Sequence, residues 1–290
     1  MKCAILGSKG YIGRHLEYYL TGKGWEVASY DIMSCDAPRY VQCNLLQKDS
    51  IARINLDVDY IFMFAGLTGT HIGFEKYETY VDTNEKGLLN LLNAIKSSPY
   101  KPQIIYPSTR LVYKGQEKAL LETDAKETKS IYSVNKLACE GYLEAYYNYY
   151  GIPYTVFRIC VPFGNMLGND YSFGTIGNFI NQCRKNGRIT LYGKGEYKRT
   201  FTSMRDLCYQ IVEAACSPKS SGEIFNVGGI VCSLYDAAYY IAGCFNAEVL
   251  TVEWPEKDLR IESGSTYFDD TKIKSIIGDI RYEGFDSLSL

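Results

Sequence analysis

Tyr132 and Lys136 stand four residues apart in the stretch Tyr132-Ser133-Val134-Asn135-Lys136. On a helix that spacing puts both side chains on one face, one turn apart. A phenol is a poor base, with a pKa of about 10, but an ammonium one turn away favours the phenolate and lowers that pKa. Such a pair can take a proton from a hydroxyl, or return it, near neutral pH. Lysine also has donors to spare for a ribose. The motif alone is weak. The chain holds 27 tyrosines in 290 residues, and a second Tyr-x-x-x-Lys occurs at Tyr19 and Lys23. Its weight comes from the elements that must position it.

An apolar strand, Cys3 to Leu6, runs into Gly7-Ser8-Lys9-Gly10-Tyr11-Ile12-Gly13 and then a helical pattern from Arg14 to Leu20. Glycines at a strand-to-helix turn allow a tight bend and close backbone approach, and the helix N-terminus faces a pyrophosphate. A second strand, Trp25 to Tyr30, ends at Asp31, about 20 residues past the glycines, where an acid accepts hydrogen bonds from an adenosine ribose. The same charge repels a 2′-phosphate, which favours NAD over NADP. Further strands are expected at Asp59 to Phe64, leading into the small residues Ala65-Gly66-Leu67, at Gln103 to Tyr106, and at Tyr154 to Cys160. Helices are expected from Thr83 to Leu92 and from Tyr132 to about Tyr150, where Gly151-Ile152-Pro153 stops the second. Ser108 and Thr109 fall at the carboxyl end of a strand, where ligands collect in open parallel sheets.

This alternation predicts an α/β chain: a Rossmann-type doubly wound parallel sheet with a smaller mixed α/β C-terminal substrate domain. The expected division is a NAD-binding domain over 1–160, with 188–230 returning to it, and a substrate-binding domain from 161–187 and 231–290. Past Pro162 the pattern loosens. Gly164, Gly168, Gly174 and Gly177 read as loops able to close over a substrate, followed by a helix from Ile176 to Lys185, a strand from Ile189 to Tyr192 and a helix from Arg205 to Cys216.

Composition excludes several classes. At 46% hydrophobic and 22% charged, with a net charge of −2 and no basic tail, the chain is an ordinary globular protein and not a nucleic-acid binder. No apolar run approaches the roughly 18 residues of a membrane helix, and the N-terminus enters a strand directly, so neither membrane anchor nor signal peptide is expected. Ten scattered cysteines without a Cys-x-x-Cys read as reduced, largely buried thiols of a cytoplasmic protein. Two histidines are too few for a histidine-rich metal site, and no metal is expected.

Taken together, these residues resemble the extended short-chain dehydrogenases/reductases of the NAD-dependent sugar-nucleotide epimerase/dehydratase type, with UDP-glucose 4-epimerase-like features. The resemblance runs through nearly the whole chain. It includes the Gly7–Gly13 turn with Asp31, Phe64-Ala65-Gly66-Leu67, Asn84 with Gly87 and Asn90, and Ser108-Thr109 with Val112-Tyr113. It continues through Tyr132-x-x-x-Lys136, Tyr150-Gly151-Ile152-Pro153 with Arg158, Leu191-Tyr192-Gly193-x-Gly195 with Arg199-x-Phe201 and Asp206, Phe225-Asn226-Val227-Gly228-Gly229, and Asp269-Asp270-Thr271-Lys272. The resemblance implies NAD as cofactor, held by Gly7, Gly10, Tyr11, Ile12, Gly13, Asp31, Asn44, Leu45, Ala65, Gly66, Leu67, Asn84, Ser108, Tyr132 and Lys136. It implies Thr109 as the hydroxyl that holds the reacting sugar hydroxyl, Tyr132 as acid/base, and Lys136 as ribose ligand and tuner of the tyrosine. Arg199 matches an arginine that grips the substrate diphosphate, and Arg260 is a second candidate. A homodimer is implied, packed through the Tyr132 helix and its predecessor, with Leu137, Tyr142, Leu143, Tyr146 and Tyr149 as apolar surface that could equally pack on the sheet.

Departures narrow the reaction. Dehydratases of the family carry an Asp-Glu pair directly after the threonine; here those positions are Arg110 and Leu111, which cannot protonate a leaving hydroxyl or take a C5 proton. Leu111 argues against decarboxylation too. Lys114, Asn44, Val161 and Thr68 also depart from family patterns around cofactor and sugar, so an uncommon substrate is expected. The leading expectation is a nucleotide-sugar epimerase, at C4, working through a transient 4-keto sugar. The alternative is a 4-ketoreductase of deoxysugar or surface-polysaccharide synthesis, and a third reading is a non-catalytic NAD-binding protein.

Overall fold

The computed structural model describes residues 1–168 and 173–288. Among the described residues the strands are β1 (Lys2–Leu6), β2 (Glu26–Asp31), β3 (Tyr40–Gln42), β4 (Tyr60–Met63), β5 (Gln103–Thr109), β6 (Tyr154–Ile159), β7 (Val161–Phe163), β8 (Arg188–Tyr192), β9 (Lys198–Ser203), β10 (Glu223–Asn226), β11 (Ile230–Ser233) and β12 (Glu248–Val252). The longer helices are α1 (Tyr11–Gly22), α2 (Gly87–Ser97), α3 (Ile131–Tyr150), α4 (Gly174–Asn186), α5 (Met204–Ala215) and α6 (Leu234–Cys244).

The chain divides into two compact units, 1–112 with 130–158 and 214–225, and 113–129 with 159–213 and 226–290. The seven-stranded sheet has the order β3-β2-β1-β4-β5-β6-β10. Its pairs β1–β2, β1–β4, β2–β3 and β4–β5 are parallel. Successive strands step outward in one direction from β1 and then in the other from β4, the doubly wound arrangement, whose reversal point between β1 and β4 opens a crevice at the strand ends. The strands read as near-continuous apolar runs because helices cover both faces. All six residues of β6 and four of the five in β1 are buried. Ile61, Met63, Leu88, Leu91, Leu92, Ile95, Ile104, Leu143 and Val156 belong to one core cluster, which binds the α2 stripe to the sheet.

The second unit holds a three-stranded sheet, β11-β9-β7, and a parallel pair, β12-β8. Phe163, Phe179, Ile180, Leu191, Phe201, Ile241 and Phe285 form its core. This division differs from the one read along the chain. Of 188–230, only 214–225 belongs with the large sheet, because β8 pairs with β12 and β9 lies between β7 and β11. Residues 113–129 also go to the second unit, where Leu120 bridges to Phe268. Strand pairing partners distant in sequence decide such boundaries, and periodicity carries no information about them.

Two helix ends bear directly on the chemistry. Ser130 caps α3: its hydroxyl accepts from the Ser133 N–H at 3.2 Å, and the Ser133 hydroxyl accepts from the Ser130 N–H at 3.1 Å. This reciprocal box sets the phase of the helix two residues before Tyr132. Gly151 ends it in the left-handed region, at φ 66°, donating to the Tyr147 carbonyl. The expected helix from Thr83 is not α throughout: Val81–Lys86 is a π-helix that passes into α2. Among the glycines expected to open loops after Pro162, Gly174 and Gly177 lie in α4, while residues 169–172 of that stretch lie outside the described residues.

Candidate active site

The β1–α1 turn is built around contacts only glycine permits. Gly7 has φ 85°, and a Cβ there would sit 2.5 Å from the Ala65 backbone nitrogen. A Cβ on Gly13 would lie 2.1 Å from the Gly7 carbonyl oxygen. The loop is thus pressed against both the β4 end and the first turn of α1. Beside it lies a cavity of about 450 Å³ lined by Gly7, Gly10, Asp31, Asn44, Leu45, Ala65, Gly66 and Leu67. Lys9, Ile32, Met33, Thr79 and Thr83 line it too, and no local pattern marked them. The Asp31 carboxylate accepts from the Lys9 N–H at 2.9 Å and from the Met33 N–H at 3.1 Å. A carboxylate has about four acceptor sites, so two such bonds orient it and leave capacity for ribose hydroxyls. Open glycine backbone, an apolar slot and an oriented acid fit a dinucleotide; Asn44, whose Oδ1 takes the Leu46 N–H at 2.9 Å, is held at the same wall.

Three residues expected to touch the cofactor have protein partners of their own. Tyr11 is buried, with its ring edge-on to His15 at 5.3 Å, and it does not line the cavity. Asn84 is 2% exposed; its Oδ1 accepts from the Leu67 N–H at 2.7 Å and its Nδ2 donates to the Leu67 carbonyl at 3.1 Å. It grips the cavity wall from behind, and the π-helix places it there. The Ser108 hydroxyl donates to Glu140 Oε1 at 2.5 Å.

Thr109 closes β5 and Tyr132 opens α3. The Thr109 hydroxyl accepts from the Leu111 N–H at 3.3 Å and lies close enough to the Tyr132 phenol to favour its ionised form. Lys136, on the next turn, is 5% exposed, donates to the Pro107 carbonyl at 2.7 Å, and has its Nζ 5.9 Å from the centre of the Tyr132 ring and 4.4 Å from that of Tyr106. The expected trio is therefore assembled on adjacent ends of β5 and α3. The expected electrostatics are not. Burial raises the Tyr132 phenol above its ordinary value, against a lowering by Thr109, and Tyr80 raises it further. Burial lowers Lys136 to about 8, opposed by Cys139 and Glu140. In the protein alone burial favours the neutral form of each group.

In the second unit Arg199 is 1% exposed and donates to the Lys198 carbonyl at 2.9 Å, the Gly264 carbonyl at 2.6 Å and Glu262 Oε1 at 2.8 Å. A diphosphate would have to compete with Glu262 for this guanidinium. Arg260 is exposed on the short helix Glu256–Ile261 and pairs with Glu256, one turn earlier. On α3, Leu143 belongs to the core and Tyr142 and Tyr146 pack against it, whereas Tyr149 is 80% exposed. Among the described residues, no helix is long and apolar enough to cross a membrane, and no group of three His, Cys, Asp or Glu side chains gathers where a metal ion could be held.

The family model described as the NAD dependent epimerase/dehydratase family matches residues 3–228. The UDP-N-acetyl-alpha-D-glucosaminuronate decarboxylase of Bacillus cytotoxicus is 28% identical over 243 residues, covering 78% of this chain and 74% of that protein. A Bacillus subtilis protein described as an uncharacterized UDP-glucose epimerase is 25% identical, with coverage of 96% and 92%. The solved UDP-glucuronic acid 4-epimerase of Bacillus cereus, in complex with UDP-glucuronic acid and NAD, superposes with a TM-score of 0.83 at 22% identity, covering 98% of this chain and 95% of that one.

Proposed function

From the premise that the chain belongs to the NAD-dependent epimerase/dehydratase family, we propose that it is a nucleotide-sugar epimerase acting at C4. The observation that supports this best is Thr109 at the end of β5 beside the Tyr132 phenol, with Lys136 one turn along and no carboxylic acid at positions 110 and 111. That set can move a hydroxyl proton and cannot remove water. Bound NAD supplies the acceptor and donor of a hydride. Thr109, at the end of β5, hydrogen-bonds the sugar hydroxyl. Tyr132, as phenolate, takes the hydroxyl proton through its oxygen and later returns it. Lys136 holds its ammonium beside the phenol and offers donors to a ribose. Gly7, Gly10 and Gly13 leave backbone open to the pyrophosphate, and Asp31 takes the adenosine ribose.

The test is incubation of the purified protein with nucleotide sugars and no added reductant, followed by chromatography. The panel includes UDP-glucuronate with UDP-galacturonate, since a similar solved enzyme binds UDP-glucuronic acid, as well as the neutral glucose and galactose pair. Interconversion of two stereoisomers without net cofactor change is expected. Reduction of supplied 4-keto sugars in its place would transfer the assignment to the ketoreductase, which uses the same three residues. Arg199 and Arg260 are proposed as diphosphate contacts, so that Arg260→Ala raises KM with kcat unchanged. The proposed enzyme is a cytoplasmic homodimer joined through α3, for which the exposure of Tyr149 offers support.

A further inference from the structure

Behind the Tyr132–Lys136 pair lies a buried ionic group to which neither the sequence pattern nor the proposed chemistry assigns a role. Glu140 continues the same face of α3, one turn past Lys136, and is 5% exposed. Arg158, on β6, is 3% exposed and engages it with two bonds, Nε to Oε1 at 3.0 Å and Nη2 to Oε2 at 2.6 Å. Glu140 Oε1 also accepts from the Ser108 hydroxyl at 2.5 Å. The arrangement ties three elements together at one carboxylate: α3 by Glu140, β6 by Arg158, and the end of β5 by Ser108. Ser108 is flanked by the two β5 residues that the site uses, Pro107, whose carbonyl receives Lys136, and Thr109, beside the Tyr132 phenol.

We propose that Glu140, clamped by Arg158, is a positioning residue that holds the β5 end against α3 and keeps a fixed negative charge one turn from Lys136. This rests on the catalytic reading of Tyr132 and Lys136 given above. A buried ion pair is a poor stabiliser relative to apolar residues of the same volume, since desolvation offsets most of its attraction. Its retention directly behind a lysine therefore calls for a positional or electrostatic reason. The groups that face Lys136 are Cys139 and Glu140 from its own helix, Tyr106 and the Pro107 carbonyl from β5, and Tyr132 across the turn. Of these, Glu140 is the carboxylate, and both it and Cys139 raise the lysine's pKa against burial. Arg158 screens Glu140 from the β6 side without being among the groups that shift Lys136.

The experiment follows Lys136 itself, in protein labelled with ¹³C at lysine Cε and assigned by loss of the signal in Lys136→Arg. In Glu140→Gln the titration midpoint of Lys136 is expected to fall by at least about half a pH unit, and the basic limb of the kcat profile to move the same way, with KM little changed. Because Glu140→Gln takes the carboxylate away from a buried guanidinium and can fail to fold, Glu140→Met combined with Arg158→Met is made beside it; this neutral pair keeps the volume and is expected to fold. A Lys136 midpoint unchanged in the folded variant overturns the proposal and reduces the pair to a structural brace. A shifted midpoint in a protein that turns over no nucleotide sugar would sustain the electrostatic coupling while refuting the epimerase reading, so the two fail separately.

Discussion

Lys136 donates to a backbone carbonyl and lies over an aromatic ring while buried, and its ordinary charge is held at a cost. Its folded pKa of about 8 is below the 10.5 of the free side chain. Between those values the unfolded chain binds a proton that the folded chain lacks, so this residue makes stability rise with pH across that window. Lys136→Met, which carries no charge to desolvate, is expected to be more stable than the parent near pH 7, with the gap closing as pH climbs from about 8 towards 10.5; urea melts at stepped pH measure it. Activity runs the other way. Loss of the ammonium above about pH 8 removes the charge that favours the phenolate, so turnover falls on that side. Removal of the acid/base itself, in Tyr132→Phe, is expected to lower kcat by roughly 10³-fold, and Thr109→Ala by roughly 10- to 100-fold. Unchanged turnover in Tyr132→Phe would sink the proposed mechanism. These three residues were readable along the chain because helix period and strand end place them, but the pKa balance was not, since burial is a property of what surrounds a residue.

The β1–α1 turn and the π-helix set the cofactor cavity between them. Gly13→Ala puts a methyl group where the Gly7 carbonyl oxygen stands, and that neighbour is backbone and cannot swing away. The turn must open, so NAD affinity measured by calorimetry is expected to drop at least about 100-fold, a loss near 3 kcal/mol. Asn84→Ala acts on the opposite wall. It leaves the Leu67 N–H and carbonyl without their partners, which costs about 1–3 kcal/mol of stability and weakens NAD binding without touching the ligand. The resemblance implied Asn84 as a cofactor contact; the π turn, which no 3.6-residue periodicity announces, has it hold the Leu67 backbone. Ser108 is the same case, since its partner Glu140 lies 32 residues away.

Over the whole molecule, ligand linkage is the test of the cofactor site. NAD at about 100 times its Kd is expected to stabilise the folded protein by about 2.7 kcal/mol, seen as a raised Tm, and Asp31→Ala to remove most of that gain at the same concentration. No gain in Tm for the parent protein would count against the cavity beside Gly7 as the dinucleotide site. The proposed association through α3 is checked by light scattering on Tyr149→Glu, which places a charge on an exposed face and is expected to yield monomers without loss of fold.

What the chain by itself determined is what depends on near neighbours: the apolar strands, the glycine turn, the capped helix start before Tyr132, the left-handed stop at Gly151, and hence the doubly wound sheet. Each follows from local sterics or periodicity. What the tertiary structure decided depends on partners far apart in sequence. Strands β8, β9 and β11 pair within the second unit, so of the stretch expected to return to the large sheet only the part ending in β10 does so. Arg199, proposed as a phosphate contact, has its guanidinium already engaged by Glu262 sixty-three residues on. Tyr132, expected to be made acidic by Lys136, sits where burial dominates instead. Pairing, burial and charge neighbours are set only when the chain closes on itself, and a side chain's chemistry follows from them.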